Sequence, residues 1–221
     1  MNPGCLFASP TFAASLRAPT ARIDTIKGVI IGLDIETDTT IDGRNPQHSR
    51  VVAVALSSSD GAFSVVLDNP DESALLTALV EHISQLSSDD VVVTWNGAGF
   101  DLPFLEVRAE TLGVVLPWSL WPSKRVPKYE PVGVAGPLRA SFGHVGHVDV
   151  AYMYKDIAEA AGVQWALKPV SLLCGLEPVQ VDRERIHELS PDELSAYVTS
   201  DAKCTAYLAF LQEDVLSAHL D

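Results

Sequence analysis

Gly28-Val-Ile-Ile-Gly-Leu-Asp-Ile-Glu-Thr37 reads as a strand that ends in two carboxylates. Val29, Ile30, Ile31, Leu33 and Ile35 give it the apolar, β-branched composition of a strand buried on both faces. Asp34 and Glu36 are two residues apart, so on a strand they project from the same face. Like charges that close repel, and near an apolar core they need a neutraliser. A divalent cation supplies one, and carboxylate oxygens suit hard ions such as Mg²⁺ or Mn²⁺. Taken alone, an Asp-x-Glu pair more often just ends a strand and faces water.

Working outward, Asp38 to Pro46 is dense in turn formers and reads as a loop. Val51–Leu56 and Ala62–Leu67 read as two further strands joined by a turn at Asp60-Gly61, which makes an antiparallel meander with the first. After Asp68-Asn-Pro-Asp-Glu72, Leu75, Leu76, Leu79, Ile83 and Leu86 recur at helical spacing. Val91–Trp95 is a fourth apolar strand. Asn96-Gly-Ala-Gly99 turns it into a helix that starts near Phe100 or Asp101 and runs to Gly113. His147–Val150 is a short fifth strand, followed by helices over 151–161 and 167–176. His144, His147 and Asp149 could be drawn as a metal cluster. The more economical reading has Asp149 capping the next helix. Ser190-Pro-Asp-Glu193 is a capping box that opens the last helix, with Tyr197 and Asp201 one turn apart on it. Strands that run antiparallel first and then alternate with helices imply an α/β domain, a mixed five-stranded sheet with helices on both faces.

Composition sets limits. The chain has 221 residues, 47% of them hydrophobic, which suits one large domain, expected over 25–221. Residues 1–24 carry arginines, Ser, Thr and Ala. That composition is shared with transit peptides, but the prolines interrupt an amphipathic helix, and a loosely ordered extension is expected. No apolar run is long enough to span a membrane. Three widely separated cysteines suggest neither a disulfide framework nor a zinc site and fit a reducing cytoplasm. A net charge of −14 argues against broad coating of nucleic acid, though not against gripping a strand end through metal ions. Against that background, residues 117–146 stand out as a basic, Pro/Gly-rich insertion with two Trp. Lys124, Arg125, Lys128 and Arg139 face the single acid Glu130. Such a loop suits single-strand contact. It equally fits an irregular surface insertion.

Asp101 sits at the turn-to-helix junction beyond the fourth strand, where sites collect in open α/β sheets. Asp-x-Glu, then Asn-x-x-x-Phe-Asp over 96–101, then Tyr-x-x-x-Asp over 197–201 follow one another in order. This set resembles the DEDD superfamily of 3′–5′ exonucleases, which share a ribonuclease H-like fold. Tyr197, with Ala196 where the histidine-bearing branch would have its histidine, places the resemblance in the DEDDy branch. The second motif looks most like the proofreading exonuclease domain of family-B DNA polymerases. The resemblance implies that Asp34, Glu36, Asp101 and Asp201 hold two divalent cations, Mg²⁺ or Mn²⁺, and that Tyr197 orients the attacking water or the scissile phosphate. A phenol with an ordinary pKa of about 10 is a poor base at neutral pH, which fits an orienting role. Thr37, Asn96, Phe100, Lys124, Arg125 and Lys128 are the candidate substrate contacts, and Lys168 is a candidate to approach the phosphate.

The implied reaction is hydrolysis of phosphodiester bonds at the 3′ end of single-stranded or frayed DNA. Two cations about 3.5–4 Å apart stabilise the attacking and leaving oxygens. An exoribonuclease with the same tyrosine motif is the alternative, since no motif encodes 2′-OH contacts. A non-catalytic module would have no reason to keep all four carboxylates. A polymerase or a replication or repair factor is the expected protein partner.

Overall fold

A computed structural model gives the fold and describes residues 26–123, 138–213 and 216. The expected N-terminal extension and Lys124, Arg125 and Lys128 lie outside the described residues.

The first strand, β1 (Ile30–Thr37), pairs antiparallel with β2 (Val51–Ser58), which pairs antiparallel with β3 (Ser64–Leu67). On its other side β1 runs parallel to β4 (Val91–Thr94), and β4 runs parallel to β7 (Gly146–Asp149). The order β3-β2-β1-β4-β7 is the expected mixed five-stranded sheet, and its ribonuclease H-like architecture is the expected one.

The alternation along β1 decides which face carries chemistry. Ile31, Leu33 and Ile35 point to one face, into a core with Leu75, Leu76, Leu79 and Ile83 of α1 (Glu72–Ser84) and Leu102 and Leu105 of α2 (Asp101–Leu112). Ile30, Gly32, Asp34 and Glu36 alternate with them and point to the opposite face. There lies the long helix α5 (Pro191–Leu211), which follows α3 (Lys155–Ala161) and α4 (Leu167–Leu173). A Cβ on Gly32 would sit 1.9 Å from the carbonyl oxygen of Ala202, so only glycine lets α5 lie directly on β1. Ala53, Ala55, Val198 and Ala202 continue this small-residue contact onto β2. Glycine and alanine thus set the height of α5 above the carboxylates.

The start of α5 is as expected: Ser190 Oγ accepts from the Glu193 N–H, and the Glu193 carboxylate accepts from the Ser190 N–H at 2.9 Å. Three expectations need correction. The returning strand begins at Ser64 rather than Ala62, because Ser58 to Phe63 close a turn in which the Ser58 N–H donates to the Phe63 carbonyl. The helix expected from Ala151 begins instead as a 3₁₀ turn, Val150–Tyr154, before α3. The basic insertion is not irregular throughout. Its described ends pair as β5 (Ser119–Pro122) and β6 (Leu138–Ser141) in a separate antiparallel ladder. Trp118 is buried against Phe142 with ring centroids 4.9 Å apart, so it belongs to the core, whereas Trp121 is exposed and stands opposite Arg139.

Candidate active site

A cavity of about 580 Å³ opens at the C-terminal end of β1. Its lining includes Asp34, Glu36, Phe100, Asp101, Tyr197 and Asp201, so the turn after β4 and the face of α5 deliver their motif residues to the end of β1. Among the described residues, Asp34, Glu36 and Asp201 form a group whose ligand oxygens all lie within 4.8 Å of one another. Asp101 shares the cavity without joining that trio. Its Oδ1 accepts the Ile35 N–H at 3.3 Å, which ties the start of α2 to β1 and fixes the carboxyl beside the group.

The charges are poorly accommodated by the protein alone. Burial pushes Asp34 well above the usual carboxylate range, and Asp201, Asp101 and Glu36 raise it further. Burial, then the charge of Asp201, pushes Glu36 up to about 8, and burial pushes Asp101 up to about 7. Asp201 is also raised by burial, but Lys168 and Arg183 oppose the shift. An all-oxygen donor set that resists ionisation in its own company is what a hard divalent cation stabilises. The residues fit such an ion.

Lys168 and Arg183 bring the positive charge. Lys168, on α4 and almost fully buried, forms an ion pair from its Nζ to Asp201 Oδ1 and sits 4.2 Å from the centre of the Tyr197 ring. Arg183, at the start of the 3₁₀ turn Arg183–Glu188, donates from Nε to the Tyr197 hydroxyl at 3.0 Å, and its Nη2 stands 3.7 Å from Asp201 Oδ2. Burial and the charges of Glu36 and Asp201 raise the pKa of Tyr197, so the phenol keeps its proton. Arg183 is absent from the sequence motifs, and nothing in the spacing of Lys168 marks it. Both act through contacts with α5 that no local periodicity encodes.

The other expected contacts divide. Phe100 lines the cavity and packs on Phe104 at 5.7 Å between ring centroids. Thr37 lines it too, but its hydroxyl donates to the Gly43 carbonyl at 2.5 Å. Asn96 is buried beneath the turn with φ of 60°, its backbone N–H donating to Asp149 Oδ1 at 2.8 Å, and it is not part of the cavity lining. Its place is structural support for the turn. The histidine cluster does not form: His147 Nε2 bonds Thr94 Oγ1 at 3.0 Å and His144 Nε2 bonds the Leu86 carbonyl at 3.1 Å.

Residues 27–124 match the family model described as DNA polymerase family B, exonuclease domain. Over those residues the chain is similar to the exonuclease domain of family-B DNA polymerases. The catalytic subunit of DNA polymerase epsilon from Emericella nidulans is 28% identical over 151 residues, covering 65% of this chain and 6% of that protein. DNA polymerase 1 of Saccharolobus solfataricus is 26% identical over 212 residues, covering 84% of this chain and 23% of that protein. The solved family B DNA polymerase of Pyrobaculum calidifontis shares the fold, with a TM-score of 0.62 at 23% identity over 83% of this chain and 24% of that one. The chain therefore spans less than a quarter of the length of each of these relatives. This exonuclease-domain likeness includes the strand that bears Asp34 and Glu36 and the turn that bears Asp101. Among the described residues, no helix is long and apolar enough to cross a membrane.

Proposed function

We propose that this chain is a 3′–5′ exonuclease that removes nucleoside 5′-monophosphates from single-stranded or frayed DNA ends, within a single domain over 25–221. The observation that carries the reading is the convergence of Asp34, Glu36 and Asp201 to within 4.8 Å in a cavity that Tyr197 also lines. Asp34, Glu36 and Asp201, with Asp101 beside them, would hold two divalent cations, Mg²⁺ or Mn²⁺. When bound, these supply an activated water and neutralise charge on the phosphate oxygens.

The chain's own residues do the rest. Asp201 is held by Lys168 from the buried side, and that positive charge, with Arg183, opposes the upward push that burial gives its carboxyl. Tyr197 keeps its proton and serves as a donor towards a phosphate oxygen or the water. Phe100 gives the cavity an apolar wall against which a terminal base can rest. DNA is favoured over RNA because the relatives are DNA polymerases. A polymerase or a repair factor acting in trans is the proposed partner, and the cytoplasm the proposed location, consistent with Cys174 and Cys204 being free thiols.

The test is digestion of 5′-labelled DNA and RNA oligonucleotides with Mg²⁺ or Mn²⁺, beside the Asp34→Ala and Asp201→Ala proteins. A ladder shortening from the 3′ end, lost in both variants and in chelator, is expected with DNA. A ladder on RNA alone would move the assignment to an exoribonuclease. No cleavage of either would refute the enzymatic reading.

A further inference from the structure

The two cationic side chains at Asp201 are not equivalent. Lys168 is buried and paired on one carboxylate oxygen, whereas the side chain of Arg183 is 55% exposed at the mouth and approaches the other oxygen from 3.7 Å. That separation is a Coulomb contact and too long for a hydrogen bond. The backbone that presents Arg183 is nonetheless held. Asp182 caps its turn by accepting from the Glu184 N–H at 3.1 Å. At the far end of the turn, His187 Nδ1 bonds Thr39 Oγ1 at 2.8 Å, and the His187 N–H donates to the same hydroxyl at 3.2 Å. The turn is thus strapped to the loop after β1 across the cavity, while the Arg183 side chain at its start stays half exposed.

We propose that Arg183 is a phosphate-binding residue that exchanges partners: it balances Asp201 in the metal-free site and turns to the substrate phosphate once divalent ions neutralise the carboxylates. This rests on the exonuclease reading and names a residue for it. The exchange follows from charge. Divalent cations held by these carboxylates would offset the attraction of Asp201 for the guanidinium. A phosphate entering the same cavity then offers the guanidinium an anion whose oxygens match its planar fork. The Nε contact to Tyr197 keeps the guanidinium beside the hydroxyl, so the two donors address one phosphate from one side.

The experiment uses the full chain and the variants Arg183→Met, which keeps the stem without the charge, and Arg183→Lys. Calorimetry measures Mn²⁺ binding alone, then dAMP binding at saturating Mn²⁺, and digestion of a DNA oligonucleotide gives KM and kcat. Expected for Arg183→Met is Mn²⁺ binding tighter by about threefold, from loss of an exposed competing cation. Its dAMP binding weakens by about tenfold or more, with a matching rise in KM and a smaller change in kcat. Arg183→Lys recovers the Mn²⁺ behaviour of the wild type and part of the dAMP affinity. Unchanged dAMP affinity in Arg183→Met, with an active wild type, overturns the phosphate role and leaves the exonuclease reading intact. A wild type that neither cleaves nor binds dAMP defeats the exonuclease reading and the phosphate role together. Mn²⁺ binding that is unchanged or weaker in Arg183→Met overturns the exchange.

Discussion

Two regions of this molecule gather metal-ligand residue types within a few residues of a strand end, and they behave oppositely. At the end of β1, Asp34 and Glu36 meet Asp201, and burial with mutual repulsion drives the pKa values of Asp34 and Glu36 up. At the end of β7, Asp149 accepts N–H groups from Asn96 at 2.8 Å and from Ala98 and Ala151 at 3.2 Å, while His147 bonds Thr94. The second region has spent its polar capacity on the fold. The first has capacity left over, and a binding site is made of what the fold leaves unsatisfied.

The sharpest way to break this contrast is to remove one carboxylate from each region. Asp34→Ala should lower the rate of DNA hydrolysis by about 10³-fold or more, since metal charge stabilisation is worth several kcal/mol and each decade of rate corresponds to about 1.36 kcal/mol. It should also abolish the stabilisation by Mn²⁺. In the wild type that gain is about 5–10 °C in Tm at a hundredfold excess over Kd. Asp149→Ala should do the reverse. Leaving buried N–H groups without their acceptor costs about 2–3 kcal/mol, or roughly 5–10 °C in Tm, while the gain from Mn²⁺ survives. Thermal melts with and without Mn²⁺ read both. A variant of Asp149 that keeps its Tm but loses the Mn²⁺ gain would erase the distinction.

A smaller effect separates the regions by pH. Glu36 and Asp101 have folded pKa values of about 8 and about 7, raised above their ordinary values of 4.5 and 3.8. A raised carboxylate pKa means the folded state binds protons more tightly than the unfolded chain. The stability this gives is fully present below about pH 4 and is lost as pH rises towards 8. Metal-free protein should therefore melt lower at pH 8 than at pH 5.5, by at least the roughly 2–4 °C that 1 kcal/mol produces in a domain of this size. Mg²⁺ or Mn²⁺ should remove most of the difference. An equal slope with and without the ion would mean that the carboxylates are not where it binds.

Much of this contrast is legible in the chain. Period-two alternation puts Asp34 and Glu36 on one face, one helical turn puts Tyr197 and Asp201 on another, and the capping box fixes where α5 begins. The role of Asp149 as a cap follows from its place before a helix. Other features depend on tertiary distance. Lys168 lies 33 residues from its partner Asp201, and Arg183 reaches the site from a 3₁₀ turn with no repeating pattern. β5 and β6 are only four residues long, too short for their patterning to mark them as strands, and pairing with each other defines them. Gly32 reads as one more small residue in a strand until α5 is seen resting on it.

The smallest effect expected is at His147, and its sign is what makes it useful. Burial lowers its pKa from 6.5 to about 4, so the folded state disfavours the protonated ring. A depressed histidine pKa gives stability that is present above about pH 6.5 and is lost as pH falls towards 4. The carboxylate end of β1 has the opposite slope over much of the same range. His147→Gln keeps a partner for the Thr94 hydroxyl and removes the titration. At pH 7 it should shift Tm by about 2 °C or less and leave Mn²⁺ affinity unchanged. Between pH 6.5 and 4 it should lose less stability than the wild type, because no buried ring has to accept a proton. If His147→Gln instead weakened Mn²⁺ binding, the histidine would belong with the carboxylates, and the division between spent and unspent polar groups would fail at its least conspicuous residue.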